Sequence, residues 1–301
     1  MDKQQLQTKK YFERYGNQWS KSVSKKHNDF VNVIEIREQY VIDTCKKFLK
    51  KKSRVLDVGC GTGELVIKLQ KMKYDSNGID FSRPMINKAK RLAKKEKIDT
   101  EKFTAGSFFE FMPKKSFDLI SANGFIEYVS EKELDTFLQK SFKFLSKKGI
   151  LIFSSRNRLF NCFSLNKYTE SEINLGEINN ILSECILFNN SKNLKEVISK
   201  KHRSNIRKNL QKHELTKTKY AKIKVDMRFQ YTPLQLVKKL RDNGFEIVGL
   251  FPVHIHAVST GSKDKLPKIH SDLSQILFNQ KSISTKLIPQ CSSFMISARK
   301  K

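Results

Sequence analysis

The residues of this chain best suited to chemistry are a carboxylate and three glycines at alternate positions, Asp57-Val-Gly59-Cys60-Gly61-Thr-Gly63. Glycine reaches left-handed backbone angles and lets a ligand approach where a Cβ would clash. The residues that follow, Glu64, Leu65, Val66, Ile67, Lys68 and Leu69, have a helical pattern. The start of that helix would present unpaired N–H groups and a positive dipole end to a ligand with an acceptor edge. A second carboxylate, Asp80, lies about 20 residues past the first glycine, where a βαβ unit places an acid on a ribose diol. An ionised carboxylate is acceptor-only, which suits two hydroxyl donors.

These residues need a strand to end at Asp57, a turn, a helix, and a second strand ending at Asp80. The apolar run from Arg54 and the segment 76–80 supply the strands. The glycine spacing differs from the dinucleotide fingerprint G-x-G-x-x-G. The leading carboxylate would repel a pyrophosphate but suits a ligand carrying ammonium and sulfonium groups. A glycine turn of some other α/β protein is the plain alternative for these residues taken alone.

The stretch 54–63 resembles motif I of the class I S-adenosylmethionine (SAM) dependent methyltransferases. Asp80-Phe81-Ser82, with Met85 and Ala89 behind, resembles the family's second motif. The resemblance covers roughly residues 8–158 and 231–300. It implies a Rossmann-like α/β fold with a seven-stranded methyltransferase sheet, the last strand antiparallel, and helices on both faces. It implies SAM as cofactor, with Asp57, Gly59, Cys60, Gly61, Gly63, Asp80, Phe81, Ser107, Phe108 and Asn123 around it. Cys60 needs only to be small. Ser107 stands where the family usually has an acid that bonds the adenine amino group, and Phe108 could pack on the ring.

On the acceptor side, the segment 117–129 follows the family's fourth-strand pattern without the Asn/Asp-Pro-Pro-Tyr/Phe sequence of nucleic-acid amino-methylating enzymes. Tyr128 replaces a histidine common in small-molecule members, which removes a histidine base at that point. Glu127 remains as a base or acceptor, with a structural role as the alternative. After the fifth strand, Ser155-Arg156-Asn157-Arg158 resembles the ubiquinone-biosynthesis O-methyltransferase branch, where this loop lines the substrate pocket. Tyr128, Asn157 and Arg158 are therefore expected at the acceptor, the arginine pair Arg156 and Arg158 suiting an anionic or carbonyl-rich group, with ordinary loop polarity as the alternative. His254 and His256 alternate with apolar residues on a strand; they are general-base candidates, against a structural reading. Arg37 could contact the carboxylate of the donor's methionine moiety, against a reading as a solvent-exposed arginine. Tyr11, Phe12, Tyr15 and Trp19 fall at helical spacing, as a packed helix or as a lid over the cofactor.

The composition bounds the rest. The formal charge is +29, from 59 Lys+Arg against 30 Asp+Glu. That is either solvated lysine or a surface for an anionic partner, RNA or a membrane surface. The basic residues concentrate between Lys192 and Lys224 around a sparse apolar stripe, read as a basic amphipathic helix. A single helix is expected from Ile173 to Phe188. Residues 1–50 are read as N-terminal helices and cofactor lid, 51–158 as SAM-binding core, 159–230 as a basic helical insert forming a substrate lid, and 231–301 as the remainder of the core. Five scattered cysteines without C-x-x-C argue against disulfides and against zinc, so no metal is expected. No apolar run reaches the roughly 18–20 residues needed to span a bilayer, and the expectation is a cytoplasmic protein without an integral membrane segment. The leading functional expectation is methyl transfer to O or N of a small-molecule, saccharide-type or carrier-linked anionic acceptor. An RNA methyltransferase and a non-catalytic SAM-fold binding protein are the alternatives. Oligomeric state is not legible.

Overall fold

The computed structural model describes residues 3–24, 32–199, 211–213, 228–257, 266–280 and 284–301. Its centre is a seven-stranded sheet in the order β3-β2-β1-β4-β5-β9-β8. The strands are β1 (Arg54–Val58), β2 (Asp75–Asp80), β3 (Phe103–Ala105), β4 (Phe117–Ala122), β5 (Leu145–Arg156), β8 (Phe245–Pro252) and β9 (Ser293–Lys300). The first five pair in parallel, whereas β9 runs antiparallel to both β5 and β8. This is the expected Rossmann-like methyltransferase sheet. Two short strands, β6 (Gln211–His213) and β7 (Arg228–Gln230), form a separate antiparallel pair.

Alternation along the strands divides the core between two faces. Leu56, Val58, Ile120, Leu151 and Phe153 pack with Leu134, Phe137 and Leu138 of α5 (Glu131–Phe144) and Leu236 and Leu240 of α10 (Pro233–Asp242). Val55, Leu119, Ile150 and Ile152 pack on the opposite face with Val41, Ile42 and Cys45 of α2 (Val33–Phe48) and Leu65 and Leu69 of α3 (Glu64–Lys71). The same parity puts Asp57 and Ser121 on the α2/α3 side, where they bond. Local sequence sets the helix starts: Ser130 and Glu133 form a reciprocal capping box on α5, and Thr232 and Gln235 form one on α10, with Pro233 in its first turn.

Between β5 and α10 lie α6 (Asn161–Ser164), α7 (Lys167–Asn174), α8 (Ile178–Asn189) and α9 (Leu194–Ser199). The single helix expected over 173–188 is two. Gly176 takes φ +67° and its N–H bonds the Ile173 carbonyl, closing one helix before the next begins. Of the basic amphipathic helix expected over 192–224, residues 194–199 are helical, whereas 211–213 form strand β6, held in extended form by its pairing with β7; the remainder lies outside the described residues. Two further helices are α1 (Lys3–Ser24) and α11 (Pro267–Asn279). Among the described residues no helix is long and apolar enough to cross a membrane.

Candidate active site

The C-terminal ends of β1, β2 and β4 open onto a cavity of about 310 Å³. Asp57, Gly59, Cys60, Gly61, Asp80, Phe81, Asn123, Glu127 and Tyr128 line it, together with Met85. The glycine turn is built for close approach. Gly63, at φ +81°, precedes α3, and a Cβ there would stand 2.5 Å from the Phe103 ring. Gly59, at φ +70°, lies beside Phe125. Asp80 fastens this turn to the second strand: its Oδ2 accepts the Gly61 N–H at 3.0 Å and its Oδ1 the Ser82 N–H at 2.8 Å. Each oxygen keeps a lone pair for a ligand hydroxyl. Burial raises its pKa and those two hydrogen bonds oppose the rise.

Asp57 is enclosed more completely. Its Oδ1 accepts the Ser121 hydroxyl at 2.7 Å. Burial pushes the carboxyl up to about 7, the Ser121 bond opposes this, and Glu38, Asp80 and Glu64 add like-charge repulsion. Glu38, also raised by burial, is paired with Lys68. This end of the cavity is thus a cluster of carboxylates short of cations, a site a cationic ligand would relieve. The donor set fits SAM: acidic groups for ammonium and sulfonium, Asp80 for hydroxyls, and a glycine cradle that a Cβ would fill.

The other end is basic. Arg37 of α2 lines the cavity rather than facing solvent, and its Nη2 donates to Ser293 Oγ at 2.8 Å. Arg156 Nε stands 3.9 Å from Glu127 Oε2. Arg228 interacts with Glu127 and hydrogen-bonds Tyr128, whose hydroxyl is pushed up to about 12 by burial and by Glu127. The Nε atoms of all three arginines are buried without a hydrogen-bond partner, as is Glu127 Oε2. On α1, Gln5, Thr8 and Phe12 close this side, and the Phe12 ring meets Tyr128 edge-on at 5.6 Å. Tyr11 and Tyr15 are buried on the same helix; the Trp19 side chain lies outside the described residues.

Six expected site residues are placed elsewhere. Ser107 does not line the cavity, and its Oγ accepts the Phe109 N–H at 3.2 Å in a local turn. Phe108 is in the core, against the rings of Phe137 and Phe144. Asn157 is buried and donates to the Ile288 and Cys291 carbonyls at 2.6 and 2.8 Å. Arg158 is buried in a fork on Glu172, with contacts of 3.0, 3.2 and 2.7 Å, and so holds α7 rather than an acceptor. With Arg158 committed to this pair, the arginine left for a ligand from the segment 155–158 is Arg156. His254 and His256 do not line the cavity either; they meet each other beyond β8, with ring centroids 4.2 Å apart. Glu127 is the carboxylate at the basic end of the cavity. Sequence reasoning offered Arg156 only as one of a pair with Arg158, and it missed Glu38 and Arg228, whose proximity is created by tertiary contacts rather than spacing.

Residues 49–223 match the family described as a methyltransferase domain. The chain belongs to the class I SAM-dependent methyltransferases. A curated relative, the ubiquinone biosynthesis O-methyltransferase of Pelagibacter ubique, is 31% identical over 135 residues, which are 42% of this chain and 55% of the relative. The carboxy-S-adenosyl-L-methionine synthase of Nautilia profundicola is 28% identical over 141 residues, 45% of this chain and 59% of the relative. This methyltransferase therefore spans little more than half the length of those relatives. In fold it is similar to the magnesium protoporphyrin IX methyltransferase from Synechocystis PCC 6803 with bound SAH, with TM-score 0.56, 14% identity and full coverage of both chains.

Proposed function

We propose that this methyltransferase transfers the methyl group of SAM to an oxygen or nitrogen of a small acceptor that carries an anionic group. The observation that carries the reading is the polarity of the cavity, with Glu38, Asp57, Glu64 and Asp80 at one end and Arg37, backed by Arg156 and Arg228, at the other. The carboxylates hold the cationic donor. The arginine group receives a carboxylate, phosphate or similarly anionic acceptor, since guanidinium forks match such groups and pair well when buried. The match to the Pelagibacter O-methyltransferase supports a small-molecule acceptor.

When bound, SAM supplies an electrophilic methyl on a sulfonium that leaves as a neutral thioether. The chain aligns and desolvates the reactants. Phe12, Phe81 and Tyr128 keep water from the reacting atoms, and Glu127 takes the proton from an acceptor hydroxyl or ammonium. Mass spectrometry of the purified protein and calorimetry with SAM test the donor half. A labelled-methyl screen of matched acceptors, each anionic compound beside its neutral ester, tests the other half. Equal turnover of esters and acids would refute the role of the arginines.

A further inference from the structure

The connection leaving β8 carries His254 and His256, and α11 brings His270 against them. One ring nitrogen from each lies within 4.8 Å of those of the other two. His256 and His270 are buried and His254 is half-buried. The scaffold around them is tied at several points. Ser274 Oγ of α11 donates to the Ile255 carbonyl at 2.8 Å, Ser292 N–H donates to the His254 carbonyl at 2.8 Å, and His256 N–H to the Gln290 carbonyl at 3.0 Å. The Phe160 ring stacks on His256 at 4.4 Å.

Ser292 Oγ lies 3.0 Å from His256 Nε2 and 3.1 Å from His254 Nδ1. A hydroxyl oxygen has two acceptor lone pairs. With both imidazoles neutral and donating to Ser292, the lone pairs fall on His254 Nε2 and His256 Nδ1. That fixes two tautomers by an outer hydrogen bond, as metal-bound histidines require. Neutral imidazole is a common metal ligand.

We propose that His254, His256 and His270 bind a divalent transition-metal ion of the zinc class, oriented by Ser292. The set is all-nitrogen, which favours zinc, cobalt or nickel over the oxygen-seeking magnesium and calcium. Three protein ligands leave a fourth position for water or an anion. Tetrahedral zinc–nitrogen bonds would draw the nitrogens to about 3.4 Å from one another. The site is separate from the cavity, yet Ser293, next to Ser292, takes the hydrogen bond from Arg37 of the cavity wall. A bound ion would thus clamp α11 onto the start of β9 beside the acceptor end.

The test uses the full chain without a histidine tag, stripped by chelator. Zinc is titrated by calorimetry, and cobalt by its visible absorption, whose intensity reports tetrahedral geometry. One equivalent is expected, lost in His270→Ala and in His270→Gln, the second variant guarding against misfolding. Ser292→Ala should weaken binding about 10–100-fold, with unchanged circular dichroism. Zinc at a hundred times its Kd should raise the folded-to-unfolded ratio about 100-fold. Absence of a bound equivalent in the wild type, or equal affinity in the His270 variants, overturns the proposal.

Discussion

Asp57 makes the donor site pH-dependent in a direction that can be worked out. Its carboxyl is buried among other acids and pushed up from 3.8 to about 7. Below pH 7 the free protein therefore keeps a proton there that a cationic donor must displace. If the donor binds only the ionised form, its affinity falls about tenfold for each unit below that pKa, about 1.4 kcal/mol per unit. Because half of the carboxyl is already protonated at pH 7, the expected loss between pH 7 and pH 5 is about 50-fold. Stability of the free protein runs the opposite way. The folded state binds the proton more tightly than the unfolded chain, so between about pH 4 and 7 the contribution of Asp57 falls as pH rises. The assay is calorimetric titration of SAM from pH 5 to 8 in buffers of different ionisation enthalpy, which counts the proton released. Asp57→Asn should bind more weakly at pH 8 and lose the slope. A flat wild-type profile, or the same slope in Asp57→Asn, would refute the assignment.

Other outcomes follow from the same contacts. Asp80→Ala removes a charged acceptor from two backbone N–H groups and from the expected ligand hydroxyls; SAM affinity should fall roughly 10–100-fold, at about 1.5–3 kcal/mol for hydrogen bonds to a charge, and unchanged affinity would move the ribose site elsewhere. Gly63→Ala puts a Cβ at 2.5 Å from Phe103 in a left-handed conformation; a denaturant midpoint equal to wild type would show the turn to be less tightly packed than described. Arg158→Ala strands the buried Glu172 and should destabilise by about 3–5 kcal/mol, read by chemical denaturation, with acceptor KM unchanged in the folded fraction. Arg37→Gln and Arg156→Gln should do the reverse, raising acceptor KM while leaving SAM affinity within a few-fold.

The end of the cavity proposed for the donor was legible because its geometry is local. Asp57, the glycines and Asp80 lie within one βαβ unit, where a fixed chain path turns spacing into position. The acceptor half was not. Arg156 and Arg158 are two residues apart in similar sequence surroundings, and only the folding of α7 against the loop shows that Arg158 is taken by Glu172. Phe108 follows a strand exit as a ring contact would, yet the space beside α5 claims it for the core. His254 and His256 were read as a pair on a strand because His270 joins them only through α11. The break at Gly176 was hidden because the apolar periodicity of 173–188 continues on both sides of the turn.

The placement of β9 has a consequence for how the molecule assembles. It lies between β5 and β8, and its pairing with β5 joins Arg156 to Ser293 across more than a hundred intervening residues. Loop closure on that scale is slow. Until β9 arrives, β5 and β8 each show an unpaired edge, and exposed edges recruit other chains. During refolding, misassembly should therefore be concentrated at these two strands. A ligand that draws Ser292 and Ser293 into place would act on the rate of that step as well as on the finished structure.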